Sequence, residues 1–311
     1  MKIICGVDVS GERLDCRIGL QGPELQVKRT AEGIGRLADF CRRHEVDLVA
    51  MEATGGYEQL VFSLLWEAGV SCAIVNPRSV RRFAEAMGFL EKTDRIDAGL
   101  IARYAEVKGI VAQEPASASQ QRLRALVKRL SQLTALSVSQ ANHRRLVEEP
   151  DVLASIDAVL ALVRKQIRQF ENEIAELLDS DPLWKALDRE FRTIKGVADR
   201  TIARLMADLP EIGTISNKAI AKLVGLAPMA KDSGKRKGKR SVRGGRSAVR
   251  SILFTVAECV RRHNDDFKDF HQRLSVGDRK KKAVRVALAR KLLVRLNSKA
   301  RDIRLEMANA T

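Results

Sequence analysis

Short apolar runs alternate with helical patterns along the first 110 residues. The runs KIICGVDV, RLDCRIGL and ELQVKRT, with turn residues between them, predict three strands of an antiparallel meander. A helical pattern follows at Ile34, Leu37, Phe40 and Cys41, and DLVAMEA predicts a buried strand. The helix YEQLVFSLLWEAG and the strand VSCAIVN, closed by Pro77, come next. The order β-β-β-α-β-α-β-α predicts an α/β domain with a mixed sheet.

Residues 120–180 show a longer stretch of helical apolar spacing. Leu123, Leu126, Leu130 and Leu133 recur at spacings of three and four, and the same spacing returns after Pro150. Two amphipathic helices around this proline predict a helical hairpin or coiled coil. An intramolecular hairpin and an oligomerisation arm both fit this pattern.

The remaining residues are predicted to be helical apart from one basic loop. The stretch FRTIKGVADRTIARLMADL resembles a helix-hairpin-helix unit, whose glycine turn at Gly196 would present N–H groups to a DNA phosphate. We therefore divide the chain into three predicted parts, which are an α/β domain at 1–110, a helical arm at 111–182 and a mostly α-helical domain at 183–311.

Charge points to a polyanionic partner. The chain has 56 Lys and Arg against 39 Asp and Glu, a formal net charge of +17, so nucleic acid is the expected ligand. Residues 231–250, KDSGKRKGKRSVRGGRSAVR, combine nine basic residues, one acid and four glycines, which is typical of a loop. There is no apolar run long enough to span a bilayer and no signal-peptide pattern, and the five scattered cysteines fit a reducing compartment. We expect a cytoplasmic protein with no membrane partner.

Four acids form the candidate chemistry of the first part. Asp8 and Glu52 lie within or at the end of apolar strand patterns, where burial of a carboxylate is costly. Asp94 and Asp97 are three residues apart at the start of a helical pattern, on one face. Each acid alone is explained by a local hydrogen bond, a helix cap or the helix dipole. Together they can converge at the sheet edge, where carboxylate oxygens suit the paired Mg²⁺ ions that cleave phosphodiesters.

The motifs around these acids resemble a known family. GVDVSGERLD, MEATGGYEQLV, NPRSVRRFAEAMG and KTDRIDAGLIARY are similar to successive motifs of the DEDD transposases of bacterial insertion sequences. This is the insertion-sequence-110 group, which includes the Piv-type DNA invertases. The resemblance implies a RuvC-like first domain of the ribonuclease H-like fold. It also implies that the family's four metal-binding acids correspond to Asp8, Glu52, Asp94 and Asp97, holding two Mg²⁺ ions for which Mn²⁺ could substitute.

The resemblance continues into the second half of the chain. IKGVADRTIARLMADLPEI and KAIAKLVGLAPMAKDSGKRKGKRSVRGGRSAVRSILF are similar to the family's C-terminal transposase domain. By position, the family's nucleophilic serine is Ser233, followed by Gly234. The composition alone favours a plain loop serine, because a hydroxyl needs a base and no histidine is close in sequence. A metal site brought from the first domain could activate it. Ser241 and Ser247 rank lower, since neither directly precedes a glycine.

The basic residues of the loop are the expected phosphate contacts. They position a nucleic-acid backbone without reading its sequence, and the alternative is a solvated charged loop. The glycine pair would let DNA approach the backbone closely, and a further arginine on the following helix is expected at the scissile phosphate. The set comprises Gly234, Lys235, Arg236, Lys237, Lys239, Arg240, Arg243, Gly244, Gly245, Arg246 and Arg250.

These observations predict a site-specific DNA recombinase. It would cut and rejoin donor and target DNA through a phosphoserine intermediate at Ser233. The family resemblance further implies a non-coding guide RNA and a homo-oligomer, either a dimer or a tetramer. One alternative is a RuvC-like, metal-dependent, structure-selective endonuclease in which water is the nucleophile. The other is a nucleic-acid-binding protein without enzymatic activity, against which the intact set of four acids argues.

Overall fold

The chain folds into two units that divide between Ala116 and Ser117. The computed structural model describes residues 2–89, 94–230, 232–233, 238, 240–276 and 280–310, without the side chains of residues 94–96. The first unit confirms the predicted α/β class, and the second is helical. The division differs from the three predicted parts, because residues 117–182 belong to the same unit as the C-terminal helices.

A five-stranded mixed sheet forms the centre of the first unit. Its strand order is β3-β2-β1-β4-β5. The pairs β1–β2 and β2–β3 are antiparallel, as the predicted meander requires, whereas β1–β4 and β4–β5 are parallel. The strands are β1 Ile4–Val9, β2 Arg13–Ile18, β3 Glu24–Lys28, β4 Leu48–Glu52 and β5 Cys72–Val75.

Helices cover both faces of this sheet. They are α1 Ala31–Arg43, α2 Tyr57–Glu67, α3 Pro77–Ala86 and α4 Asp94–Lys108. One face of β1, with Cys5 and Val7, packs in a core with α1 and α2. The other face, beginning at Ile4, packs with α3 and α4. The alternation of side chains along a strand therefore assigns Gly6 and Asp8 to the face that α4 covers.

Gly6 allows α4 to lie directly on the central strand. A Cβ atom at Gly6 would be 2.0 Å from the carbonyl oxygen of Ala98 and 2.6 Å from the backbone nitrogen of Ala102. Any side chain at this position would therefore push the helix away from the sheet. The absence of a side chain brings the start of α4 onto the strand that carries Asp8.

The second unit contains eight helices in the part of the chain that the structure describes. They are α5 Ala118–Arg144, α6 Pro150–Ser180, α7 Pro182–Arg192, α8 Asp199–Asp208, α9 Asn217–Val224, α10 Ser247–His263, α11 Asp265–Ser275 and α12 Lys281–Asn309. None of the described helices has the length and apolar composition needed to cross a membrane.

The α5–α6 hairpin has a buried half and an exposed half. Leu123 and Ile174 lie in one core with Trp184 and Leu187 of α7, so the base of the hairpin is integral to the second unit. Toward the other end, several large apolar side chains are exposed. They are Leu136, Val138, Leu146, Val152 and Leu162. Both interpretations of the heptad pattern, an intramolecular hairpin and an assembly arm, thus have a structural counterpart.

Candidate active site

Asp8 and Glu52 come together at the ends of two neighbouring parallel strands. The pairing of β1 with β4 runs in register to Val7 and Met51, and Asp8 and Glu52 are the next residues. Residues at matching positions of neighbouring strands project to the same face, with the strands about 4.8 Å apart. Both residues are half-buried. The structure therefore places these two carboxylates side by side on the face that α4 covers.

Asp97 joins this pair from α4. The helix packs its later residues, Ile101 and Ala105, in one core with Ile4, and its Ala98 backbone over Gly6. It therefore runs antiparallel to β1, and its first turn lies toward Asp8. Asp97 is half-buried in that turn. Asp94 is the first residue of α4, and its side chain lies outside the described part of the structure.

The chemistry of these donors fits a hard divalent cation. Carboxylate oxygens are the ligands that Mg²⁺ prefers, and the three described side chains at this edge, Asp8, Glu52 and Asp97, are all carboxylates. Among the described residues, no group of three or more His, Cys, Asp and Glu side chains is arranged to hold a metal ion. Asp8, Glu52 and Asp97 by themselves are therefore not arranged as a metal site, and the expected fourth ligand, Asp94, has its side chain outside the described part of the structure.

A further carboxylate, Asp15, lies beside Asp8 and was missing from the prediction. It pairs with Asp8 across β1 and β2 and is buried. Its Oδ1 accepts a hydrogen bond of 2.6 Å from Gln26 Nε2, and its Oδ2 lies 3.2 Å from Arg13 Nε. The alternation of Arg13, Asp15 and Arg17 with apolar residues in RLDCRIGL assigns Asp15 to the polar face of β2, but its position opposite Asp8 depends on the strand register.

The loop after Glu52 is held by a buried carboxylate. Glu58 Oε2 accepts hydrogen bonds from the backbone N–H groups of Thr54 and Gly56, each at 2.9 Å. The Thr54 hydroxyl donates to the carbonyl oxygen of Glu52 at 3.1 Å. Burial raises the pKa of Glu58, but the backbone and Gln59 hydrogen bonds outweigh it and leave the pKa below its usual value. Glu58 is therefore ionised near neutral pH, and its hydrogen bonds to Thr54 and Gly56 fasten the loop after Glu52.

Ser233 lies in the second unit, on an exposed loop. The backbone N–H of Met229 donates to the carbonyl oxygen of Ser241 at 2.9 Å, so the chain doubles back around the loop. Within it, the Gly238 N–H donates to Asp232 Oδ1 at 3.0 Å, and Ser233 is exposed. Five of the predicted contacts lie outside the described residues. They are Gly234, Lys235, Arg236, Lys237 and Lys239.

The other predicted contacts of this loop fall into two groups. Arg240 and Arg243 are exposed, which suits phosphate binding. By contrast, Arg246 forms two hydrogen bonds of 2.5 Å to Glu211 and one of 2.9 Å to the Asp208 carbonyl oxygen. Arg250 donates to the carbonyl oxygens of Gly244 and Val224. These arginines hold the base of the loop, and their predicted phosphate contacts stay predictions.

The glycine pair at the base of the loop is likewise used for packing. A Cβ atom at Gly245 would lie 2.4 Å from the backbone nitrogen of Gly225, just after α9. Gly244 adopts a φ of 70°, in the left-handed region that favours glycine. The close approach of DNA to this pair stays a prediction: a Cβ atom at Gly244 would meet no atom of the described residues within 4 Å, whereas Gly245 packs against the protein itself. The partners of this contact are about twenty residues away in sequence, so the loop's composition did not reveal them.

Two models of IS110-group transposases match separate parts of the chain. A transposase family model, DEDD_Tnp_IS110, matches residues 5–147, and a second, described as the IS116/IS110/IS902 transposase family, matches residues 188–272. The pilin gene-inverting proteins of Moraxella lacunata and Moraxella bovis are each 28% identical to this chain over 255 residues. Each match covers 78% of this chain and 76% of the relative.

Solved structures of RuvC from Thermus thermophilus are also similar to part of the chain. One RuvC structure matches with 17% identity and a TM-score of 0.26, over 35% of this chain and 98% of RuvC. A complex with a Holliday junction substrate matches over the same shares, with 16% identity and a TM-score of 0.25.

Proposed function

The chain belongs to the IS110 family of transposases, whose two models together match more than two thirds of it, and we propose that it recombines DNA through a phosphoserine intermediate. It is a DNA recombinase of the transposase type, as its family and its pilin gene-inverting relatives indicate. The finer proposal concerns the acids of the first unit, Ser233 of the second, and the nucleic acids they act on.

The observation that carries the proposal is the convergence of carboxylates at one sheet edge. Asp8 and Glu52 lie at the ends of neighbouring parallel strands, and the contact of α4 with Gly6 directs the first turn of that helix, with Asp97, toward Asp8. With Asp94 at the start of α4, they would hold two Mg²⁺ ions, which stabilise the attacking and leaving oxygens of a phosphodiester. The carboxylates also require such cations, because without them the acidic edge would repel a DNA phosphate.

Ser233 is proposed as the nucleophile. Its Oγ would attack the phosphorus of a DNA phosphodiester, so that an Oγ–phosphorus bond forms while the bond from phosphorus to one sugar oxygen breaks. The serine proton passes to a base, and the departing sugar oxygen takes up a proton and becomes a hydroxyl. Attack by the hydroxyl of another strand reverses these changes, rejoins the DNA and regenerates the serine. The exposure of Ser233 supports this role, because a phosphate must reach it.

The proposed partners are DNA, a second copy of the chain and a guide RNA. Arg240 and Arg243 are exposed in the same loop as Ser233 and would contact phosphates of the donor and target DNA. The exposed apolar side chains on the outer half of the α5–α6 hairpin, Leu146 among them, support a homo-oligomer. A non-coding guide RNA is proposed from the family alone, as is action in the bacterial cytoplasm. The names of the Moraxella relatives add programmed inversion as an alternative outcome to transposition.

The test is a junction assay in a heterologous bacterium. The gene is expressed with its native flanks as wild type, Asp8→Asn and Ser233→Ala, and new donor junctions are counted by sequencing. Loss of junctions in both variants is the expected result. Junctions that persist in Ser233→Ala would replace the phosphoserine step with a metal-dependent nuclease. Ser241→Ala and Ser247→Ala are the matched controls and should retain junction formation.

A further inference from the structure

A groove with a cavity volume of about 840 Å³ runs along the outer edge of the sheet in the first unit. The loop after β1, the end of β3 and the start of α1 line it. Its charged residues are four cations and two acids, namely Arg13, Lys28, Arg29, Arg36, Glu12 and Glu32. The excess of positive charge is notable in a unit whose acid edge is negative, and it indicates an anionic ligand.

The groove continues the row of polar residues that begins at Asp8. Asp8 pairs with Asp15 on β2, and Asp15 pairs with Gln26 on β3, which lines the groove. Two strand spacings separate Asp8 from Gln26, a distance of about 10 Å. A single extended strand of nucleic acid can therefore contact the groove and the acid site together.

Two of the cations face each other on this sheet. Arg13 of β2 is paired with Lys28 of β3, so both project from the face that carries Asp8. Like charges at paired positions destabilise a sheet, and an anion between them removes that repulsion. Asp15 contacts Arg13 through the Nε atom. Within the part of the chain that the structure describes, no carboxylate forms an ion pair with Lys28, Arg29 or Arg36.

Arg29 links the groove to both loops of the acid site. Its Nε donates to the carbonyl oxygen of Gly11 at 2.9 Å, three residues after Asp8. Its guanidinium carbon lies 4.8 Å from the centre of the Tyr57 ring. Tyr57 begins α2, just after the loop that follows Glu52, and it is 50% exposed. The groove and the acid edge therefore share one rim, formed by a cation and an exposed aromatic ring.

We propose that this groove binds the sugar–phosphate backbone of the DNA strand that enters the acid site. Lys28, Arg29 and Arg36 contact its phosphates, and the Tyr57 ring packs against a sugar or base at the entry to the site. Such contacts set the position of the scissile phosphate without reading sequence. This inference rests on the proposed function, since it assigns the path of the strand that the acids and Ser233 act on.

The experiment compares two double variants of the full-length protein. Lys28→Gln/Arg36→Gln removes two charges from the groove. Arg43→Gln/Lys108→Gln removes two from exposed positions at the C-terminal ends of α1 and α4 and is the matched control. Binding to fluorescent DNA carrying the element end from the junction assay is measured over a series of salt concentrations. Single-stranded RNA of the same sequence is the second probe.

Each lost phosphate contact should reduce the slope of log affinity against log salt by about 0.7–0.9. With two contacts removed, we expect the groove variant to lose about 1.4–1.8 units of slope on DNA and the control to stay near wild type. Junction formation should fall in the groove variant alone. Far-ultraviolet circular dichroism and thermal melts establish that both variants are folded.

The outcomes separate this inference from the proposed function. A wild type that forms junctions and binds DNA, with groove and control variants giving equal slopes, overturns the groove alone. A slope change that occurs with RNA and is absent with DNA also overturns it, because the ligand would then be RNA. A wild type that neither binds DNA nor forms junctions overturns the recombinase and the groove together.

Discussion

Asp15 lies directly opposite Asp8 in the antiparallel pairing of β1 and β2, so both carboxylates project from the same face of the sheet. Asp15 is 7% exposed, and its oxygens contact Gln26 and Arg13. A buried carboxylate next to another acid needs such donors, because paired like charges destabilise a sheet and burial of an unpartnered charge is costly. The acid edge is therefore organised by Asp15 as well as by the expected metal ligands.

The first prediction concerns this carboxylate. Asp15→Ala removes a buried carboxylate with its charge-assisted hydrogen bond from Gln26 and its contact with Arg13, whereas both donors are exposed and can turn to water, so we expect the free energy of unfolding to fall by about 1–2 kcal/mol. Urea unfolding measures it. Asp39→Ala is the control, because it breaks an exposed ion pair with Arg42 and should cost no more than about 1 kcal/mol. Equal losses in the two variants would mean that Asp15 is not an organising residue.

The second prediction tests the contact between Gly6 and α4. Gly6→Ala places a methyl group against the backbone of Ala98, so the helix must move and we expect a destabilisation of about 1–3 kcal/mol. Junction formation should also be lost, because the shift displaces Asp97 from Asp8. Gly35→Ala is the matched control. Its Cβ has no atom within 4 Å, and alanine in a helix should stabilise the protein by about 0.5–1 kcal/mol.

Much of the first unit followed from the sequence, because alternation and apolar runs report directly on which face a strand buries. The order of strands and helices along the chain, the mixed sheet, the positions of Asp8 and Glu52 on strands, and the helix that begins at Asp94 were all predicted. Asp15 was missed because its significance depends on the register between β1 and β2, which local patterns leave undetermined.

The basic loop shows what composition alone does not predict, namely which of its residues make contacts within the protein. The composition of residues 231–250 predicted a loop, but it did not distinguish arginines that bind within the protein from arginines that are exposed. The partner of Arg246 is Glu211, 35 residues earlier, and the glycine pair packs against the end of α9. Long-range contacts of this kind leave no periodicity in the sequence, so a structural arginine and a ligand-binding one have the same local signature.

The third prediction concerns the loop after Glu52 and its dependence on pH. The pKa of Glu58 is lowered in the folded protein, so its ionised form stabilises the fold above the pKa of the unfolded chain. That contribution is lost as the pH falls through the folded-state pKa. Glu58→Gln should therefore reduce the free energy of unfolding by about 1 kcal/mol near neutral pH, where it replaces charge-assisted hydrogen bonds.

The difference between wild type and Glu58→Gln should shrink as the pH is lowered below about 4, since the wild-type carboxyl is then protonated as well. Urea unfolding across the acid range measures this. Glu67→Gln, at the exposed end of the same helix, is the control and should show little difference at any pH. A Glu58 difference that persists unchanged in acid would assign the effect to packing instead of charge.

The last prediction separates the two kinds of arginine in the basic loop. Arg246→Ala leaves Glu211 half-buried without the guanidinium that offsets its burial and holds its pKa below the usual value. We expect a loss of about 1–3 kcal/mol in the free energy of unfolding, measured by urea denaturation. Arg243→Ala removes an equal charge from an exposed position, so its stability should stay within about 0.5 kcal/mol of wild type.

For DNA binding we expect the opposite order, with a larger effect of Arg243→Ala than of Arg246→Ala. In Arg243→Ala, the salt dependence of DNA affinity should weaken by the equivalent of one phosphate contact, a slope change of about 0.9. In Arg246→Ala, measured at a temperature where the variant is folded, the slope should equal that of wild type, because Glu211 already occupies this guanidinium. A slope change in Arg246→Ala with unchanged stability would instead place Arg246 on the DNA and make its ion pair with Glu211 a resting state of the loop.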